Sequence, residues 1–191
     1  MKISRILLVI ALALLAMPAT RAASETYTID SAHSSVGFTI RHILTKIPGS
    51  FAQFEGTITV DRETPANNTV HATIAVSSIK TNEPKRDAHL QNDDFFLAAK
   101  FPSIAFQSKR WERTGENTFA VTGDLTIKET TKEVVLQVTL IGFGQGMNGK
   151  AISAWEATTK LDRRDFGITY GQGIVGNDVE VAISIEAPLA E

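Results

Sequence analysis

The sequence predicts an all-β fold: an antiparallel barrel of about eight strands with one short helical insertion at about residues 82–100. Three observations carry this. From Thr26 onward, apolar and β-branched residues recur with a period of two, the rhythm of strands with one face buried. Turn signals rich in glycine, asparagine and proline separate the runs. After Pro102 no helical periodicity of useful length returns. A barrel is favoured over a sandwich because up-and-down strands that close leave no exposed edge.

Residues 1–22 stand apart from this pattern. Lys2 and Arg5 precede the apolar run Ile6 to Met17, and Thr20-Arg21-Ala22 supplies small residues where a signal peptidase reads. A cleavable secretory signal is expected, with a periplasmic product and a single domain over residues 23–191. The run is too short to make a good spanning helix. The chain has no cysteine, so neither a lipid anchor on cysteine nor a disulfide is available and stability must come from a core. Removing three of the 19 basic residues (Lys2, Arg5, Arg21) and none of the 21 acidic ones takes the formal charge from −2 to −5. Nucleic acid is thereby excluded as a partner, since it demands concentrated positive charge.

In order along the domain, Tyr27 and Ile29 alternate with polar neighbours, and Val36, Phe38 and Ile40 do so again between His33 and His42. Pro48-Gly49 reads as a turn, after which Phe51 and Phe54 lead into Gly56 to Val60. Asp61 to Asn68 is a polar turn before Val70, Ile74, Val76 and Ile79. Further strands are expected at 103–113, 118–127, 132–142, 151–161 and 178–188, with turns at 114–117, 128–131 and 142–149. Alternation puts Phe38, Ile40, Ile58, Ile74, Val76, Ile104, Phe106, Leu125, Leu136, Val138 and Ile183 on the inward face, and Phe54, Phe95, Phe96, Trp155 and Phe166 join them as candidate bore residues. An eight-stranded barrel is just wide enough to be filled by side chains or to hold one slender ligand, and the pattern leaves both open.

The insertion breaks the strand rhythm with charge, histidine and aromatic residues. Asn82-Glu83-Pro84 opens a short helix through Arg86, Asp87 and His89, Asp93 or Asp94 caps a second turn carrying Phe95, Phe96 and Leu97, and Pro102 ends it. The result is a lid with a greasy underside and a charged upper side. Arg86, Asp87 and His89 either clasp the insertion to the rim or hold the polar head of a ligand.

The joint occurrence of Tyr27-x-Ile29-Asp30-x-x-His33-Ser34, Gly49-Ser50-Phe51-x-x-Phe54-Glu55-Gly56, Arg86-Asp87-x-His89-Leu90, Asp94-Phe95-Phe96, Gly123-Asp124-Leu125-Thr126-Ile127 and Arg164-Asp165-Phe166-Gly167 resembles the YceI-like proteins of the bacterial envelope. The resemblance runs from about Tyr27 to Ile185. It implies a lipocalin-like barrel whose apolar bore binds a polyprenyl chain or isoprenoid quinone, with no other cofactor, and a possible homodimer that could pair near Phe95-Phe96-Leu97. Leu97 and Glu129 depart from it, standing where an acidic residue and a glycine are usual. On that implication the polar head end falls to His42, Arg86, Asp87 and His89. Strands of about 10 residues give a bore of roughly 30 Å, which suits a linear chain.

Catalysis finds less support. No serine lies in a G-x-S-x-G context and there is no thiol, so a nucleophile is missing. His33, His42, His71 and His89 form no close ligand pair, and no metal is expected. An enzyme acting on such a lipid through Asp87 and His89 at the barrel mouth is the rival reading. A membrane barrel would want aromatic girdles, which 2 Trp and 2 Tyr do not supply.

Overall fold

A computed structural model describes residues 24–147 and 149–191. The expected secretory signal lies outside the described residues. Alternating β-branched runs form β1 (Glu25–Thr28), β2 (Ser35–His42), β3 (Thr45–Phe51), β4 (Phe54–Val60), β5 (Thr69–Ala75) and β6 (Ile79–Lys80). Helix α1 (Pro84–Leu90) follows, then β7 (Ser103–Arg113), β8 (Thr118–Ile127), β9 (Thr130–Gln145), β10 (Ala151–Asp162) and β11 (Val175–Pro188). They make one curled antiparallel sheet in the order β1-β4-β5-β7-β8-β9-β10-β11-β2-β3-β6.

The all-β, barrel-like fold expected from the sequence is therefore the observed one, with eleven strands among the described residues in place of about eight. Curling brings β1 back to the chain that leaves β11. Tyr27 bridges Leu189, the Asp30 N–H donates to Glu186 O (3.0 Å), and the Ala190 N–H donates to Thr26 O (2.7 Å). This seam closes the sheet at one end.

Pro48 and Gly49 do not turn the chain; they lie inside β3, opposite Thr39 and Phe38. Proline is tolerated there because β6 pairs only with Ser50 and Phe51, leaving Pro48 on an open edge. Gly49 is required by what lies over it, since a Cβ would collide with the Phe38 ring. Gly123 does the same for the Phe106 ring. The turn instead falls at Ile43-Leu44, and β9 runs on through Gly142 to Gln145.

Outward positions of the long strands carry charge. Lys109 meets Asp124 and Glu133, Lys160 meets Asp178, and Lys46 meets Glu180. This is the inverse of the apolar outer belt of a membrane barrel. No helix among the described residues is long and apolar enough to cross a membrane.

Candidate functional site

The inward faces of the curled sheet enclose a cavity of about 490 Å³, within the range of small-molecule sites. Its wall is made by strand alternation: Val36, Phe38 and Ile40 on β2, Leu136 and Val138 on β9, Ala157 and Leu161 on β10, and Val179, Val181, Ile183 and Ile185 on β11.

One end is shut by aromatic packing. Trp111 stands edge-on to Trp155 (5.8 Å) and to Phe119 (5.7 Å), while Phe143 stands edge-on to Trp155 (6.4 Å) and tilted against Tyr27 (6.0 Å). The Arg62 guanidinium lies 3.8 Å over the Phe143 ring and donates to Glu25 and to the Tyr27 hydroxyl oxygen. Burial, helped by Glu25, pushes the Tyr27 phenol up. The Trp111 and Trp155 indole N–H groups are buried without a hydrogen-bond partner among the described residues, so these two rings are held by packing.

The other end is rimmed by polar groups: His42, Thr81, Arg86, His89, Arg163 and Tyr170 all border the cavity. Glu83 caps α1, accepting from the Lys85 and Arg86 N–H groups, with Pro84 in the first turn. This presents Arg86 and Asp87 to Thr81. The Thr81 hydroxyl donates to Asp87 Oδ1 and accepts from Arg86 Nε (2.7 Å), and Arg86 Nη2 donates to Thr81 O (2.6 Å). His89 Nε2 sits 2.6 Å from Asp94 Oδ2, and its ring packs edge-on to Phe95 and Tyr170, both 5.1 Å away. Arg163, only 5% exposed, folds the facing loop around itself. Its Nε donates to Gly176 O, Nη1 to Ile168 O and Tyr170 O, and Nη2 to Val175 O, over 2.7–3.1 Å. Burial pushes its pKa below the ordinary arginine value, against the supporting charge of Asp162.

The family model of the YceI-like domain matches residues 27–187. The chain belongs to the YceI-like family. Protein YceI of Escherichia coli is 36% identical over 183 residues, covering 94% of this chain and 95% of that protein. The crystal structure of the YceI protein of Campylobacter jejuni is 32% identical, superposes with a TM-score of 0.68, and the match covers 85% of this chain and 96% of that one. A polyisoprenoid-binding domain from Saccharophagus degradans shares the fold at 13% identity and a TM-score of 0.67, covering 86% of this chain and 98% of that one.

Most residues singled out in the sequence of this YceI-like chain meet at the cavity. Phe38, Ile40, Phe54, Ile58, Ile74, Phe95, Phe96, Ile104, Phe106, Leu125, Leu136, Val138, Trp155, Phe166 and Ile183 line it, as do His42, Arg86 and His89. Two residues do not. Val76 is buried in the short 3-10 turn Val76–Ser78, which takes it out of strand alternation and into the packing beside the cavity. Asp87 is turned onto the Thr81 N–H and hydroxyl. The expected partnership of Asp87 with His89 is therefore not formed, because each has its own partner.

The insertion also differs in form. Only Pro84–Leu90 is helical, and residues 91–100 run as turns with Leu97 at φ 49°. Asp94 bonds His89, and the Asp93 carboxylate accepts from the Asp94 N–H. Phe95 and Phe96 turn inward to the cavity, and both are half-buried, as is Leu97.

Trp111 and Arg163 were not readable as site residues. In β7 a bulge between Ser108 and Arg110 inserts one residue, so the inward set changes from Ile104 and Phe106 to Trp111. Arg163 sits in a run of charge that reads as strand-end ion pairs. Its neighbour Arg164 does form such a pair with Asp162.

Proposed function

We propose that this protein is a non-catalytic carrier that holds one long isoprenoid lipid, a polyprenyl chain or an isoprenoid quinone, in its cavity. The observation that supports it most is the wall itself, an apolar tunnel closed by tryptophans at one end and rimmed by polar side chains at the other. Such a shape fits a ligand with a long apolar tail and a polar end. The fold shared with a polyisoprenoid-binding domain of Saccharophagus degradans supports the same class of ligand. In this reading the tail lies along Phe38, Leu136, Val138 and Ile183, and the head emerges beside His42, Arg86 and His89. The sequence of residues 1–22 supports action in the periplasm.

The rival, an enzyme at the mouth, loses its proposed pair because Asp87 bonds Thr81 while His89 bonds Asp94. Organic extraction of purified protein followed by mass spectrometry tests the carrier reading. A prenyl lipid near one per chain is expected, and Leu136→Glu should abolish it, since an unpaired charge in an apolar tunnel is very costly. A folded wild-type protein that yields no prenyl lipid overturns the reading.

A further inference from the structure

The rim carries apolar side chains that the cavity does not use. Between His42 and Thr45 the two-residue turn places Ile43 and Leu44 at its tip, 61% and 84% exposed. Ile174, 53% exposed, is joined to them by the Ile43 N–H donating to Ile174 O at 2.8 Å. Tyr170, 48% exposed, stands beside His89 on the same rim and borders the cavity. Ile43, Leu44 and Ile174 are not part of the cavity wall. They form the outer lip of the mouth, and His42, Tyr170 and Val175 form its inner lip.

Two features show that the lip is built rather than incidental. Ile43 adopts φ 51° at the first central position of a hairpin turn, a place that favours glycine and that a β-branched residue enters only under strain. The chain nonetheless puts an isoleucine there, next to a leucine. The loop bearing Tyr170 and Ile174 is held in shape by the four carbonyl contacts of buried Arg163. Within the two chain segments that carry the lip, every formal charge is basic. No acidic residue occurs between Asp30 and Glu55 or between Asp165 and Asp178, and Arg41 donates to Leu44 O at the tip itself. Lys46 lies behind the tip, paired with Glu180. Across the mouth the α1 segment is mixed, with Lys80, Lys85 and Arg86 against Glu83, Asp87, Asp93 and Asp94. A greasy tip backed by cations is the arrangement of an interfacial membrane contact, where apolar side chains enter the acyl boundary and basic groups stay at the headgroups.

We infer that the hairpin tip Ile43-Leu44, with Ile174 and Tyr170, docks the barrel mouth onto an anionic bilayer surface, so that a lipid passes between membrane and cavity without crossing water. This rests on the carrier reading for its purpose, but its test does not. Wild-type protein and the Leu44→Asp/Ile174→Asp variant are mixed with phosphatidylcholine vesicles containing phosphatidylglycerol, and with phosphatidylcholine vesicles alone, and bound protein is measured by flotation. The two proteins share every residue outside the lip, so their difference isolates it. Wild type should float with anionic vesicles and less with neutral ones, and the variant's partition should fall at least roughly tenfold, given what burying two aliphatic side chains contributes. The variant should keep the wild-type content of extracted lipid, because neither side chain lines the cavity. Equal flotation of wild type and variant overturns the inference. A wild-type dimer in sedimentation equilibrium that the double substitution dissociates, without vesicle binding, assigns the lip to a second copy and also overturns it. Loss of the carrier reading would appear separately, as a protein that floats normally and yields no lipid.

Discussion

The two ends of the cavity are closed by different physics. At the Trp111–Trp155 end, rings pack edge to face, the surrounding Tyr27, Phe119 and Val121 are almost fully buried, and even two indole N–H groups have no hydrogen-bond partner among the described residues. At the α1 end, shape is held by directed hydrogen bonds: Arg86 and Asp87 on Thr81, His89 on Asp94, and Arg163 on four carbonyls. Packing is non-directional and excludes everything, so it makes a floor. The His89–Asp94 bond at this rim is part-exposed and exchanges with water at modest cost, so that end can admit a ligand without unfolding.

The largest effect that tests this contrast is expected at the floor. Trp155→Ala removes a ring that both packs in the core and lines the cavity, and should cost about 3–5 kcal/mol of stability in denaturant unfolding. Because the Trp111 and Trp155 indoles have no hydrogen-bond partner among the described residues to hold the space open, the remaining rings should collapse into it. A loss below about 1 kcal/mol would mean that the floor is loosely packed, and the contrast between the ends would fail.

The fold was legible because its signal is local and repeats. The runs from Val36 to Ile40 and Val179 to Ile185, and that from Val134 to Val138 apart from outward-facing Val135, alternate, and each contributes its alternate residues to the wall. Legibility failed where one residue breaks the count. The β7 bulge hides Trp111, and the bulge between Leu140 and Gly142 on β9 brings Phe143 to the same side as Trp155. It failed also where an interaction is made with backbone rather than with another side chain. Arg163 bonds only carbonyls, which leave no mark in sequence, and Asp87 lies two residues from His89 yet bonds Thr81. Pro48-Gly49 misled for a third reason, since turn chemistry describes preference and an edge strand under a phenylalanine ring overrides it.

A middle-sized effect is expected at the rim. Arg86→Ala removes two hydrogen bonds to Thr81 and leaves the Thr81 carbonyl and hydroxyl short of a donor. It should cost about 1–3 kcal/mol, read as a fall in the melting temperature. If the cluster acts as a clasp, the affinity of the folded protein for a prenyl lipid should change less than its stability. An unchanged melting temperature with weakened binding would instead assign Arg86 to the ligand's head and show the rim to be held by other contacts.

The smallest effect concerns the seam where β1 returns to β11, beside the floor. His33 Nδ1 lies 2.7 Å from Asp30 Oδ2, and the hydrogen bond to Asp30 raises the His33 pKa while that to His33 lowers the Asp30 pKa. The two shifts have opposite pH consequences. The contribution of His33 is complete below its unfolded pKa of about 6.5 and is lost as pH rises through the higher folded value. That of Asp30 is complete above about 3.9 and is lost as pH falls through its lower folded value. The pair therefore supports the seam most between about pH 4 and 6.5, and only slightly, because both groups are in contact with solvent. Proton NMR of the His33 ring should give a titration midpoint above the ordinary histidine value, and Asp30→Asn should bring it most of the way back. A His33 midpoint already at about 6.5 in the wild type would mean that the charged pair does not support the seam, leaving it to the backbone bonds from Asp30 to Glu186 and from Ala190 to Thr26.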